Sequence, residues 1–165
     1  MHVRRATAAD LDRAMELYDL ARAFMRANGN DAQWVNGYPT RADAEADLAA
    51  GDLLACEGND GEVLAVMTYV EGPDETYGYI ENGAWLAERP YHVVHRLAVG
   101  ASGRGVGGFC LRWAVADAAS RGHDLRCDTH ELNLPMRRAL VRAGLVECGT
   151  IYVSDGTPRL AFQTP

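Results

Sequence analysis

The sequence predicts an α/β (α+β) fold with about seven strands and about four helices in a single domain spanning residues 1–165. One observation behind this is the order of strand and helix patterns, β-α-α-β-β-β-α-β-α-β-β, with no convincing linker. The other is composition, since 48% of the residues are apolar and 24% are charged, which is ordinary for one globular domain. A domain of this length buries about 70% of its unfolded surface, so it needs no disulfide or structural metal.

The helices and strands follow from local signals. Thr7 and Thr40 each have an aspartate three residues later, a capping pattern that opens a helix. Gly and Asn at 58–61 form a turn between two apolar strands, which predicts a hairpin. The predicted helices are 7–27, 40–51, 107–121 and 133–143, and the predicted strands are 3–5, 53–57, 63–70, 91–99, 125–128, 145–153 and 159–163. The long loop 71–90 carries aromatic residues and is typical of a lid or pocket wall.

Charge and hydropathy exclude several partners. Sixteen Lys and Arg against 23 Asp and Glu give a net charge of −7, whereas a duplex nucleic-acid binder normally carries a positive excess. Uncharged stretches are far shorter than the ~20 apolar residues that cross a bilayer. We therefore expect no nucleic-acid partner, no membrane partner and a cytoplasmic location.

The four cysteines are scattered singly among apolar neighbours. Cys56, Cys110, Cys127 and Cys148 match neither a zinc spacing nor a secreted disulfide framework. We expect them to be buried, reduced thiols.

A glycine-rich turn lies between the strand 91–99 and the following helix. Glycine at 103, 105, 107 and 108 leaves backbone N–H groups accessible where a helix begins, which favours a bound phosphate. A dinucleotide fingerprint would need the spacing G-x-G-x-x-G soon after the first strand, and this chain has neither. A purely structural turn would account for one glycine but hardly for four.

The stretch from Tyr91 to Phe162 contains a series of motifs in a fixed order: His95-Arg-Leu-Ala-Val99, Ser102-Gly-Arg-Gly-Val-Gly107, Asn133 and Ala143-Gly144-Leu145. In these motifs and their order the chain resembles the GNAT superfamily of N-acetyltransferases. The resemblance implies a mixed, mostly antiparallel twisted sheet, with acetyl-CoA as co-substrate. It also implies cofactor-binding roles for Leu97, Ala98, Val99, Gly103, Arg104, Gly105, Val106, Gly107, Gly108 and Asn133.

The chain departs from the family pattern at two places. Ser102 stands where the family prefers Gln or Arg, whose side chain contacts the phosphates. We expect Arg104 to make that contact in this chain. Leu140 occupies the position at which many members place a tyrosine that protonates the departing thiolate. The identity of that proton donor is therefore open.

His95 is the leading candidate for the base that deprotonates an acceptor amine, because histidine titrates near neutral pH. Strand alternation places it on one face with Val93, Leu97 and Val99 and places His92 on the other, so the two histidines cannot share a metal, and no metal is expected. A histidine bonded only within the sheet is an equally good interpretation. Glu81 is the second candidate, although a solvated carboxylate explains it better.

Tyr152 is the candidate acid for the thiolate, in competition with Tyr79 and Tyr91. A structural hydrogen bond is the alternative for each of them. Four further residues are candidates for the acceptor site, with core packing or a solvated turn as the alternative: Trp34, Tyr38, Trp85 and His130.

Together these patterns predict an acetyl-CoA-dependent N-acetyltransferase that acts by direct attack on a primary amine of a small molecule or peptide. The alternative is a catalytically weak coenzyme A-binding sensor or interaction module. The acceptor, the acyl chain length and whether the chain forms a homodimer are left open by the sequence.

Overall fold

Seven strands form one sheet in the computed structural model, which describes residues 1–100 and 104–165. The strands are His2–Arg5 (β1), Leu53–Glu57 (β2), Val63–Glu71 (β3), Tyr91–Val99 (β4), Asp124–Thr129 (β5), Val146–Tyr152 (β6) and Pro158–Gln163 (β7). Their order is β1-β2-β3-β4-β5-β7-β6, and within the described ranges only β4 and β5 run parallel. The helices are Leu11–Ala27 (α1), Arg41–Ala50 (α2), Val106–Ser120 (α3) and Leu134–Arg142 (α4). The predicted fold class is confirmed.

The capping signals act as the sequence predicted. The Asp10 carboxylate accepts from both the N–H and the hydroxyl of Thr7, at 2.7 and 3.0 Å, and a short 3-10 turn here leads into α1. Asp43 makes the same pair of bonds to Thr40 ahead of α2, and Gly51 ends α2 with a left-handed φ of 80°. Helix boundaries therefore differ from the prediction by only a few residues.

The helices cover the sheet in two layers. Leu11, Leu17 and Tyr18 of α1 pack with Ala55 and Ala98 of the sheet on one side. The other side packs against α3 and α4, in a cluster that includes Cys56, Leu64, Val94, Val106, Cys110, Leu111, Leu125, Leu140 and Phe162. All four cysteines are free and buried, as expected.

Strand β4 breaks its regular alternation at Arg96, which has a φ of 51°. Register with β3 shifts at the same place, so that Ala98 pairs with Val66 but His95 pairs with Thr68. The expectation that His95 shares a face with Leu97 and Val99 is therefore wrong. The extra residue of the bulge turns Leu97 and Val99 toward the α3 side of the sheet.

The parallel strands β4 and β5 separate along their length. They pair only from Tyr91 to Val93 on β4 and from Asp124 to Arg126 on β5. Beyond these pairs each strand continues to its own end, at Val99 and Thr129. A gap therefore opens in the middle of the sheet.

Within the described residues, no helix is long and apolar enough to span a membrane.

Substitution of Asp10 tests the ion pair that anchors the first helix. The bidentate bond from Arg4, at 2.9 and 3.0 Å, lowers the pKa of the Asp10 carboxyl to about 2. A lowered pKa means that this stability is present above the unfolded value near pH 4 and is lost as pH falls toward 2. We expect Asp10→Asn to lower the free energy of unfolding by about 2 kcal/mol at pH 7, with the difference vanishing near pH 2.

Urea unfolding across this pH range measures the effect. Asp12→Asn is the matched control, since that carboxylate is exposed and pairs only at the surface with Arg41, and we expect a loss below about 0.5 kcal/mol. A pH-independent loss in Asp10→Asn would contradict the linkage.

Candidate active site

A cavity of about 1110 Å³ occupies the gap between β4 and β5. Its walls come from α1 and the loop after it, the second half of β4, the start of α3, the end of β5, α4 and the β6–β7 turn. The cavity therefore reaches both faces of the sheet. Its lining includes aromatic, charged and glycine residues together: Trp34, Tyr38, Asp74, Thr76, His95, Arg96, Leu97, Val99, Gly105, Val106, Gly107, Asp128, Asn133, Asp155 and Arg159.

The glycine turn forms one end of the cavity. Gly105 has a φ of 73° directly before α3, and no side chain of the described residues caps this helix. Phe109 makes the first bond back to the Gly105 carbonyl, at 3.0 Å, so the earlier N–H groups of the helix have no intrahelical acceptor. With no acidic residue in the first turn, this end of the helix offers an anion site of N–H groups and helix dipole.

The predicted cofactor residues divide into two groups. The first group lines the cavity: Leu97, Val99, Gly105, Val106, Gly107 and Asn133. A Cβ at Gly107 would meet the Val99 side chain at 3.4 Å, an ordinary contact distance.

The other group lies away from the wall. Ala98 is buried on the opposite side against α1. Arg104 and Gly108 flank the start of α3 without lining the cavity, and a Cβ at Gly108 would meet Arg112. Gly103 lies outside the described residues.

His95 lies in the cavity wall between two carboxylates. Its Nε2 is 2.8 Å from Asp74 Oδ2, and its Nδ1 is 4.0 Å from Asp128 Oδ1. The bond to Nε2 is the largest cause that lowers the pKa of the Asp74 carboxyl to about 2. An ionised carboxylate only accepts hydrogen bonds, so Nε2 carries the proton and Nδ1 of the neutral ring is the basic nitrogen.

The environment of Asp128 differs from that of Asp74. Burial raises the pKa of the Asp128 carboxyl, which also accepts a 2.7 Å bond from the Tyr77 hydroxyl. Asp74 is instead held by Thr76, whose N–H and hydroxyl both donate to it, at 2.9 and 2.6 Å. Two carboxyl groups thus flank one imidazole in the cavity wall.

Arg96, at the bulge, joins several elements. It donates two bonds to Asp47, at 2.9 and 2.6 Å, and one to Thr68 at 3.2 Å. A third nitrogen donates to the Tyr38 hydroxyl at 2.8 Å. The Tyr38 oxygen therefore accepts from Arg96 and keeps its own proton available. Trp34 meets Tyr38 edge-on at 6.4 Å, and both rings line the cavity, where the sequence predicted an acceptor site.

Glu81 and Tyr152 pair with each other outside the cavity. The Tyr152 hydroxyl donates to Glu81 at 2.7 Å, and Tyr79 donates to the same carboxylate at 2.6 Å. These contacts lower the pKa of the Glu81 carboxyl and raise the pKa of the Tyr152 phenol. Neither residue is brought near His95, because the Glu81 backbone is bridged to Thr150 of the edge strand.

Trp85 also lies away from the cavity. Its ring stacks against the Arg126 guanidinium at 4.0 Å, and its N–H donates to the Tyr77 carbonyl at 2.9 Å. Tyr91 packs against the same guanidinium, also at 4.0 Å. This arrangement fixes the loop 71–90 to the sheet, and the loop supplies Asp74 and Thr76 to the cavity wall.

His130 and Asn133 follow β5 and are both buried. The His130 ring accepts a 3.2 Å bond from the Leu132 N–H, and the ring does not line the cavity. Asn133 lines it, but its oxygen caps α4 at the Met136 N–H and its amide donates to Gln33 at 3.0 Å. The Asn133 side chain thus links α4 to the loop after α1.

Three charged residues that line this cavity, Asp74, Asp128 and Arg159, are not among the site residues that the sequence predicts. Asp74 belongs to an acid-rich loop in which nothing singles it out, and Asp128 and Arg159 lie within strand patterns. Asp128 pairs with Ala161, two residues from Arg159, where β5 and β7 lie side by side. Strand alternation therefore places Asp128 and Arg159 close together on the same face of the sheet. The available signal was weak, because β5 reads Asp-Leu-Arg-Cys-Asp-Thr, in which one more charge does not stand out, and only Arg159 directly precedes an apolar run.

Solved structures give the comparison. An acetyltransferase of the GNAT family from Streptococcus agalactiae is 32% identical, with a TM-score of 0.83, over 99% of this chain and 94% of that chain. A ribosomal-protein-alanine N-acetyltransferase from Brucella melitensis is 21% identical, with a TM-score of 0.69 over 99% of both chains. A chain of the NatC complex, solved with Gag peptide and CoA, is 10% identical, with a TM-score of 0.65 over 99% of this chain and 97% of that one.

The last two comparisons establish likeness of fold. No family model matches the chain, and no curated protein matches it significantly. The Streptococcus structure combines full-length coverage with identity close to one residue in three. This chain belongs to the GNAT family of acetyltransferases.

Proposed function

We propose that the chain is an acetyl-CoA-dependent N-acetyltransferase that modifies a primary amine of a small molecule or peptide by direct attack. The observation that carries the proposal is a single cavity with an anion site of backbone N–H groups at one end and the Asp74–His95–Asp128 cluster within it. By charge, the phosphates of a donor substrate match the anion site, and an amine acceptor matches the acidic cluster.

The residues at the glycine turn suit coenzyme A. The N–H groups at the start of α3 would hold its diphosphate. The backbone N–H and C=O groups of Leu97 and Val99, which β5 leaves unpaired, would form hydrogen bonds with its pantetheine amides, as between two strands. When bound, the coenzyme supplies the activated acetyl thioester. Metal coordination is not required by this chemistry.

The acidic cluster suits the acceptor. Asp74 and Asp128 attract an alkylammonium, and the basic Nδ1 of His95 accepts its proton so that neutral nitrogen can attack the thioester carbonyl. The 4.0 Å distance from Nδ1 to Asp128 leaves this nitrogen without a direct bond to that carboxylate. The C–N bond forms, the C–S bond breaks, and the departing thiolate then takes up a proton.

Tyr38 is a better placed donor of that proton than Tyr152. Among the tyrosines of the described residues, only Tyr38 lines the cavity. Leu140, at the position of the family's tyrosine, is fully buried in the core. We assign the proton to the Tyr38 hydroxyl, which Arg96 holds at the bulge.

A cytoplasmic location and a single domain stay predictions from the sequence, and the oligomeric state stays open.

Coenzyme binding tests the anion site. We expect acetyl-CoA to raise the melting temperature of the wild type, and Gly105→Glu to weaken binding by about 100-fold or more, since a carboxylate would face the phosphates. Gly122→Glu is the matched control: Gly122 has the same φ of 73° at the far end of the same helix, in equally open space. Normal affinity in Gly105→Glu would refute the site.

Thiol release tests the chemistry. An amine panel should accelerate release of CoA by the wild type, and His95→Ala should lower kcat by about 100-fold or more while the dissociation constant for acetyl-CoA changes less than about twofold. His95→Gln keeps a polar group of similar size and should be equally slow. Binding of acetyl-CoA without release by any amine would identify the chain as a coenzyme A-binding module instead.

The two candidate acids are separated by their phenylalanine variants. Tyr38→Phe should lower kcat by about tenfold or more, since only the proton donor is removed and Arg96 keeps its bonds to Asp47. Tyr152→Phe loses only an exposed bond to Glu81 and should change kcat less than about twofold. The reverse order would restore Tyr152 as the donor.

A further inference from the structure

Arg159, near the start of β7, is a buried cation in the cavity wall. Its residue exposure is 9%, and it lines the cavity. Within the described residues its side chain makes one hydrogen bond, from Nη1 to the Pro158 carbonyl at 3.0 Å. A guanidinium has five N–H donors, so most of its hydrogen-bonding capacity is left for a ligand in the cavity.

Other arginines that are shielded from solvent have partners for their charge. Arg96 is held by Asp47 through two bonds, and Arg4 by Asp10 in the same manner. The guanidinium of Arg126 packs against two aromatic rings. For Arg159, no carboxylate of the described residues lies within the 4.0 Å of an ion pair. Burial lowers the pKa of its guanidinium. A buried positive charge raises the free energy of the folded state unless an anion pairs with it.

Strand geometry places Arg159 on the acceptor side of the sheet. Ala161 of β7 pairs with Asp128 and packs with Tyr77 and Val93, on the face away from α3. Arg159 is two residues from Ala161 and shares that face. The glycine turn instead lies at the start of α3, whose buried residues pack on the opposite face. The missing anion is therefore not the coenzyme diphosphate.

The same face carries the acidic cluster. Asp128 and Asp155 both act on Arg159 through space, and His95 lies between Asp128 and Asp74. The cavity lining thus offers the carboxylates of Asp74, Asp128 and Asp155, which attract an ammonium, and beside them the buried guanidinium of Arg159, which attracts an anion. A polyamine would meet a repelling charge at Arg159.

We propose that the acceptor is an amino acid, that is, a small molecule carrying a carboxylate as well as the amine, and that Arg159 binds the carboxylate. This assignment rests on the proposed acetyl transfer and narrows its substrate class. The planar guanidinium matches a carboxylate through two parallel hydrogen bonds. The amine is then directed to Nδ1 of His95.

Acceptors that differ only at the carboxylate test whether Arg159 binds this group, whichever amino-acid side chain the enzyme prefers. Each of the common amino acids is compared with its own carboxamide and with its decarboxylated amine, by CoA release at several concentrations. We expect at least one amino acid to be preferred over its carboxamide by about tenfold or more in kcat/KM, because the amide lacks the charge that pairs with Arg159.

Arg159 variants link the preference to this residue. Arg159→Gln should raise KM for the preferred amino acid by about tenfold or more and leave kcat/KM for its carboxamide within about threefold. Arg159→Lys keeps the charge and should retain part of the preference. Arg26→Gln removes an exposed arginine outside the cavity and should keep the full preference. Circular dichroism and the thermal shift with acetyl-CoA establish that each variant is folded and binds the donor.

The outcomes separate the two levels of the proposal. Equal use of amino acids and carboxamides by the wild type, or an equal loss for both in Arg159→Gln, overturns the role of Arg159 while acetyl transfer stands. Failure of every acceptor to release CoA overturns acetyl transfer itself and the acceptor class with it. A preference that is present in the wild type and abolished only in Arg159→Gln supports the proposal.

Discussion

The bulge in β4 is the constraint on which the whole site depends. In a regular strand the side chains would keep alternating, whereas the positive φ of Arg96 changes the face of every later side chain of β4. Such a conformation is unfavourable for a residue with a side chain, and the bonds from Arg96 to Asp47 and Thr68 hold it in place. The ion pair between the sheet and α2 thus stabilises the bulge that turns Leu97 and Val99 toward the α3 side, where they line the cavity.

Most of the fold could be predicted because its signals are local. Capping pairs such as Thr7 with Asp10, the turn at 58–61 and the glycines that end helices each act within a few residues. The bulge could not be predicted, because it depends on a contact between Arg96 and Asp47, which are 49 residues apart. Its consequence was an incorrect face for Leu97 and Val99.

The site was only partly predictable for the same reason. His95 and the glycine turn have a residue type or spacing that indicates chemistry, and they lie in one cavity. Asp74 is recognisable as a site residue only from its hydrogen bond to His95, which forms when the loop 71–90 packs against the sheet. The stacking of Trp85 on Arg126 fixes that loop. Glu81 and Tyr152 have suitable chemistry, yet the edge strand holds them together at a distance from the cavity.

The two halves of the cavity are built differently, and this explains why fold likeness does not identify the acceptor. The half at α3 uses backbone N–H groups, which any sequence can supply if glycine permits the turn. The other half uses side chains of Asp74, Asp128 and Arg159, each from a different element. Structures that are only 10% and 21% identical can therefore share the sheet, at TM-scores of 0.65 and 0.69, while the half that we propose for the acceptor is free to carry different charges. The acceptor must be determined from those charges in each chain.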